Sequence, residues 1–292
     1  LYSSYVQPSK LFWNSNVLLS EIGVQQGDPL GPLLFCQGIH PITSQLKSEV
    51  SSWYLDDGCL CGEPDVVLKD LELVIAEGAK IGLTVNPMKC EVTVLSEDSA
   101  EIRRIETRFE EVAPGILSTS VQELELLGAA LHPTGVDAKL KIKLVYFKKM
   151  CNNLNRLHAH DALFLLRNSF AVPRLMYLLR ASPCFESEVL REYDRELRCA
   201  LEQIVNCEIP DREWQWAVLP VACGGLGTRT PLDIALPAFL SSLTASQSLS
   251  GEVYRSPNPD SSWVRALEVW DARFDGVRPG ELGVQKAWDS LV

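Results

Sequence analysis

Two adjacent carboxylates, Asp56 and Asp57, lie between apolar runs in the stretch Tyr54-Leu-Asp-Asp-Gly58. Apolar residues on either side of Asp-Asp-Gly suit a strand–turn–strand hairpin with acids at its tip. Upstream lies Gly23-Val-Gln-Gln-Gly-Asp-Pro-Leu-Gly-Pro32, a Gly/Pro-punctuated turn that leads into the apolar run Leu33-Leu-Phe-Cys36. Asp28 is placed to cap a helix there, and Pro29 or Pro32 fits its first turn.

At 292 residues the chain can build one large or two ordinary domains. No apolar run approaches the roughly 18 residues that cross a membrane, and residues 1–20 lack the charged-then-apolar pattern of a secretion signal. An intracellular protein without a membrane is expected. The nine cysteines show no paired CxxC spacing, so buried, reduced thiols are expected. The net charge of −11 disfavours nucleic acid as a whole-chain average. Its distribution reverses that: between 139 and 180, Lys139, Lys141, Lys143, Lys148, Lys149, Arg156, Arg167, Arg174 and Arg180 are opposed by Asp161 alone. Such a segment is either a solvated helix face or a local footprint for phosphates.

Residues 1–22 read as a helix followed by an extended piece from Lys10 to Leu19. Helical spacing runs over 64–81, with Val67, Leu71, Val74, Ile75 and Ala79 on one side and Gly82 closing it. Residues 83–85 and 90–95 are β-rich around the Asn86-Pro87 turn. Residues 101–112 are amphipathic and helical, and 123–131 read as a strand in which Gly128 allows a tight bend. After His132-Pro-Thr-Gly135 the patterns become long helices, at 136–158, 160–181 and 186–207. The expected division is 1–135, a basic helical part 136–210, and a helical extension 211–292. Within the extension, the Ser/Pro/Asn-rich segment 244–262 reads as a mobile linker. The glycine-rich stretch 219–227 is a turn rather than a phosphate cradle, since it has no GK[ST] element.

In this order and about this far apart, the glycine-rich turn and the acidic hairpin resemble the palm of a reverse transcriptase. Gly82-Leu-Thr-Val-Asn-Pro-Met-Lys-Cys90 resembles the stretch that follows the catalytic hairpin in that family. Glu125-Leu-Leu-Gly128 resembles the hairpin that grips the primer terminus, and the basic helices from Lys139 resemble a thumb. Leu219-Pro with Gly224-Gly-Leu-Gly227 resembles the downstream stretch of retrotransposon polymerases lacking long terminal repeats. The resemblance runs from residue 1 to about residue 245.

What the resemblance implies is an α+β fold. It would comprise a reverse-transcriptase-like palm, an antiparallel sheet with packed helices over 1–135, then an α-helical thumb over 136–210 and a helical C-terminal extension. It further implies an RNA-directed DNA polymerase that joins dNTPs to a DNA primer on an RNA template. Two Mg²⁺ ions would clamp the attacking 3′-hydroxyl and the leaving pyrophosphate. Asp56 and Asp57 would hold the metal, Asp56 as principal ligand and Asp57 assisting, since neighbouring strand residues point to opposite faces. Carboxylate oxygens are hard donors that suit Mg²⁺. Two like charges about 4 Å apart repel by about 4 kcal/mol at an effective dielectric near 20, a cost that a bound cation offsets. Gln26, Gly27 and Tyr54 would lie against the template and incoming nucleotide: the glycine clears space for close backbone approach, and the amide both donates and accepts. Lys89 would lie near the triphosphate. Leu127 and Gly128 would grip the primer, while Lys139, Lys141, Lys143, Lys148 and Lys149 would contact the nucleic-acid backbone.

The family also draws a metal-ligating aspartate from an apolar strand ahead of the region matched here. Residues 1–20 hold no Asp or Glu, and Glu21 is too close to Gln26. The expectation is an N-terminally truncated fragment, inactive alone, with an open sheet edge and exposed apolar surface. The alternative is a non-catalytic nucleic-acid-binding remnant. A helical protein-interaction module would account for 136–292 but leave both leading motifs unexplained.

Overall fold

The structure, a computed structural model, describes residues 6–25, 27–253 and 261–292. It divides into two compact units between Ser118 and Thr119, earlier than the change in sequence character at 132–135.

The first unit opens with a hairpin of β1 (Ser9–Trp13) and β2 (Asn16–Ser20), turning at Asn14 with φ +53. Asparagine tolerates that left-handed value. The helix expected ahead of Lys10 falls largely on residues outside those described, and 6–8 are not helical. Helix α1 (Gly31–Thr43) follows with Pro32 in its first turn, then the acidic hairpin of β3 (Val50–Tyr54) and β4 (Asp57–Cys61). Helices α2 (Pro64–Lys80) and α3 (Ser99–Val112) complete the unit with two-residue strands β5 (Glu91–Val92) and β6 (Leu117–Ser118). Its core is small: Leu68 of α2 meets Ile105 and Phe109 of α3, flanked by Val67, Leu71 and Val92. The buried Asp70 ties α2 to the loop after α1, its Oδ2 accepting from the Lys47 N–H at 2.8 Å, the Ser48 N–H at 2.7 Å and the Ser48 hydroxyl at 2.6 Å.

In place of one antiparallel sheet there are four two-stranded ladders among the described residues, β5–β6 being parallel. Length explains this. The strands expected over 90–95 and 123–131 shrink to pairs of residues, too short to present an edge to a third strand.

The second unit begins with a tight hairpin of β7 (Glu125–Leu126) and β8 (Ala129–Ala130), followed by α4 (Pro133–Leu154) and α5 (Ala159–Leu165). A π turn, Leu166–Phe170, joins α5 to α6 (Val172–Ala181). The single helix expected over 160–181 breaks here because Pro173 has no N–H and its ring crowds the carbonyl four residues back. Helices α7 (Val189–Val205), α8 (Asp211–Ala217), α9 (Pro231–Val253), α10 (Ser261–Phe274) and α11 (Gln285–Asp289) follow. Leu140, Leu144 and Phe147 of α4 pack on Leu175 and Leu179 of α6 and on Leu190, Tyr193, Leu197 and Leu201 of α7, with Phe147 stacked on Tyr193 at 4.3 Å. A second core joins Leu236, Phe239 and Leu240 of α9 to Trp270 and Trp288, whose rings meet edge-on at 4.7 Å. Each fully buried side chain of this size contributes about 1.5–3 kcal/mol.

Two expectations change. Residues 244–253 belong to α9 rather than to a linker, because their hydroxyls bond back to helix carbonyls: Thr244 to Leu240, Ser246 to Leu243, and Ser250 to Ser246. Residues 254–260 of the expected linker lie outside those described. All nine cysteines are free, but only Cys151 and Cys184 are buried, and Cys36, Cys61, Cys199, Cys207 and Cys223 are exposed. Among the described residues one helical stretch, Ala159–Ala181, has the length and apolar composition of a membrane span. Its Leu166, Leu175 and Leu179 are core residues of the second unit.

Candidate active site

The acidic hairpin pairs Tyr54 with Asp57 and Trp53 with Gly58, leaving Leu55 and Asp56 as the two-residue turn. Two-residue hairpin turns need a positive φ at their first central position, normally supplied by glycine. Leucine supplies it here, Leu55 having φ +57. A left-handed non-glycine residue costs on the order of 1–3 kcal/mol and clusters at functional sites. The two carboxylates are thus inequivalent for a reason the sequence does not display: Asp56 projects from the turn, and Asp57 opens β4. Period-two alternation puts Asp57, Cys59 and Cys61 on one face with Tyr54. Burial pushes the Cys59 thiol above its ordinary value, and Cys61 adds to that. On the other face the Trp53 ring covers Gly58 so closely that a Cβ there would lie 2.6 Å from it. Gly58 is needed for that cover.

The carboxylates of Asp56 and Asp57 are exposed and make no hydrogen bond or ion pair among the described residues. Tyr54 beside them is 65% exposed. Four carboxylate oxygens free of protein partners fit a hard divalent cation in donor type and access. They are two ligands, however, and among the described residues no group of three or more His, Cys, Asp or Glu could hold a metal ion. The pair fits Mg²⁺ as part of a site.

Gly27 adopts φ +91 with nothing within 4 Å of where a Cβ would stand, so its conformation rather than its space requires glycine. Gln26 lies outside the described residues. Asp28 does not cap α1 directly. Its Oδ1 accepts from the Leu30 N–H at 2.8 Å, and Leu30 is the residue at the cap. Lys89 ends a short 3₁₀ turn, Pro87–Lys89, and is exposed with no ion pair among the described residues.

Leu127 and Gly128 belong to the second unit. They form the β7–β8 turn with φ +49 and +80, both exposed at its tip. The hairpin is held at several points. The Tyr177 hydroxyl of α6 donates to the Leu127 carbonyl at 2.6 Å, Ser182 donates to the buried Ala130 carbonyl at 2.7 Å, and Lys139 of α4 pairs with Glu125 at 2.6 Å. Sequence reading missed Tyr177 and Ser182, because a hydroxyl bonded to a carbonyl some 50 residues away leaves no local pattern. Lys148 reaches Glu196 at 3.7 Å. Lys141, Lys143 and Lys149 are exposed with no ion pair among the described residues.

Residues 1–131 match the reverse transcriptase (RNA-dependent DNA polymerase) family. The chain is 28% identical over 222 residues to the SLACS retrotransposable element 132 kDa protein of Trypanosoma brucei gambiense, a match covering 73% of this chain and 18% of that protein. It is 25% identical over 249 residues to the retrovirus-related Pol polyprotein from type-1 retrotransposable element R2 of Popillia japonica, covering 78% of this chain and 39% of that one. The chain therefore spans less than half the length of these curated relatives. Both comparisons point one way: residues 1–131 match the reverse transcriptase family, and the chain is similar over most of its length to proteins of retrotransposable elements.

Proposed function

We propose that this chain is the palm and thumb of an RNA-directed DNA polymerase, with Asp56 and Asp57 as its metal-ligating carboxylates. The observation that carries the proposal is the acidic hairpin, where a strained leucine turn presents two unpartnered carboxylates to solvent. In the reaction, the primer 3′-hydroxyl forms a new P–O bond at the α-phosphorus of a dNTP, and the bond to pyrophosphate breaks. Mg²⁺ bound at Asp56 and Asp57 would supply Lewis-acid activation and charge neutralisation. The side chains of this polypeptide position and neutralise. Gly27 and Tyr54 border the template and incoming base, a role that the resemblance also gives to Gln26. Lys89 offers a cation to the triphosphate, and Leu127 and Gly128 hold the primer end. Lys139, Lys141, Lys143, Lys148 and Lys149 line the path of the backbone. Lys139 and Lys148 would have to leave Glu125 and Glu196 to do so fully.

A second reading is a non-catalytic remnant that still holds a duplex. It is favoured by the lack, among the described residues, of a third ligand to complete a metal cluster. Residues 1–292 alone are accordingly expected to be inactive or nearly so. The test is primer extension on an RNA template with Mg²⁺ and dNTPs, comparing this polypeptide with Asp56→Ala. Extension lost in the variant supports the polymerase and refutes inactivity of the polypeptide alone. No extension by either protein, with duplex binding retained, supports the remnant.

A further inference from the structure

We infer that Lys143, Arg174, Tyr146 and Tyr193 form a pocket for one phosphodiester of the primer strand, one or two nucleotides behind its 3′ end. This rests on the reading that the helical unit holds a primer–template duplex, and adds a discrete site to it. The pocket is a cavity of about 160 Å³ between α4, α6 and α7, lined by Lys143, Tyr146, Phe147, Met150, Arg174 and Tyr193. Two of the six lining residues are cations, two carry hydroxyls and none is a carboxylate. In a chain of net charge −11, a concavity with two cations and no acid is a place where an anion lowers the free energy. Neither cation has an ion pair among the described residues. Among the described residues the Arg174 guanidinium donates one hydrogen bond, to the Met150 sulfur at 3.2 Å. That leaves most of its guanidinium fork free for the bidentate geometry that suits phosphate oxygens. Burial raises the Tyr193 hydroxyl well above its ordinary value, Cys151 adds to this and Arg174 opposes it, so the phenol stays a hydrogen-bond donor at neutral pH. Tyr146 is 59% exposed at the rim, where an aromatic face can carry a sugar or base.

Position along the helices sets the register. Lys143 lies one turn beyond Lys139, which pairs with Glu125 of the β7–β8 hairpin. Arg174 lies one turn before Tyr177, which holds the Leu127 carbonyl at the tip of that hairpin. On both helices, one turn of about 5.4 Å therefore separates the hairpin anchor from the cavity. With a rise of about 3.4 Å per nucleotide along a strand, this step is one or two nucleotides.

The test uses the full chain and a DNA–RNA primer–template duplex, with affinity measured by fluorescence anisotropy over a series of salt concentrations. Arg174→Gln and Lys143→Gln are each expected to weaken binding about tenfold and to lower the slope of log K against log salt by about 1. Arg212→Gln removes an exposed charge from α8 outside the pocket and should change neither. A single methylphosphonate near the primer 3′ end should weaken the unsubstituted protein at one position and leave Arg174→Gln unaffected there. Melting curves check folding, and Lys143→Gln, whose side chain is exposed, carries the test if Arg174→Gln is unfolded. Salt-sensitive duplex binding that both variants retain unchanged, or an equal methylphosphonate loss at every position, overturns the pocket and leaves the thumb reading standing. No salt-sensitive duplex binding by the chain at all overturns both.

Discussion

Asp194 gives the second unit an unusual dependence on pH. It lies on α7 with its Oδ1 buried and without a hydrogen-bond partner among the described residues. Burial pushes its pKa up from 3.8 to about 7, the Asp233 carboxylate at the start of α9 adds to this, and a hydrogen bond from the Leu232 backbone only partly opposes it. Asp233 is engaged elsewhere, accepting from the Thr230 hydroxyl at 2.5 Å and lying 3.9 Å from Arg273. Between pH 3.8 and about 7 the folded state therefore holds a proton that the unfolded chain releases. The sign follows: the contribution of Asp194 to stability is fully present below about pH 4 and is lost as pH rises through 7. Fully developed, the loss is about 4 kcal/mol, a large share of the roughly 5–15 kcal/mol that holds an ordinary domain. Asp194→Asn removes the charge, keeps an acceptor for the Leu232 N–H and offers N–H donors towards Asp233. Urea unfolding followed by tryptophan fluorescence reports mainly on this unit, which contains five of the seven tryptophans. The variant should be no more stable than the natural protein near pH 4, and more stable by several kcal/mol at pH 8. A difference between the two that does not change with pH, or a variant that is less stable at pH 8, would refute the reasoning.

Other consequences follow from individual contacts. Asp70→Ala strips the acceptor from two backbone N–H groups and a hydroxyl, and should destabilise the first unit by about 2–4 kcal/mol. The companion observation is faster amide hydrogen exchange at Lys47 and Ser48, and unchanged exchange there would count against the contact. Ser182→Ala removes the hydroxyl from the buried Ala130 carbonyl and should cost about 1–3 kcal/mol in thermal or urea unfolding of the second unit. Gly58→Ala puts a methyl where the Trp53 ring lies, at a cost of about 1–3 kcal/mol. The displaced ring should show red-shifted fluorescence, and an unshifted spectrum would mean the ring does not lie across Gly58.

What the sequence displayed were features that a few neighbouring residues decide. The acidic hairpin was legible because apolar runs flank Asp-Asp-Gly, and α2, α3, α4 and α7 because their apolar positions recur at helical spacing. Reading failed where a residue of ordinary type takes an extraordinary conformation. Nothing in Leu55 or Leu127 announces a left-handed φ, yet those two leucines set two of the hairpin turns, and the second bends the strand read over 123–131 into the hairpin that the resemblance implied. It failed again where composition and context disagree. The serines of 244–253 look like a linker, but the helix that carries them is anchored upstream by Ile234 and Ala238 in one core and Phe239 and Leu240 in the other, and their hydroxyls close on its own carbonyls. The lysines were visible as a charged run, but their grouping was not. Lys143 lines one cavity with Arg174 and Tyr193 where three helices pack, while Lys139 and Lys148, equal to it by charge, are already paired with Glu125 and Glu196. A run of charge in sequence is therefore a weaker guide to a phosphate site than the few cations that folding leaves together and unpaired.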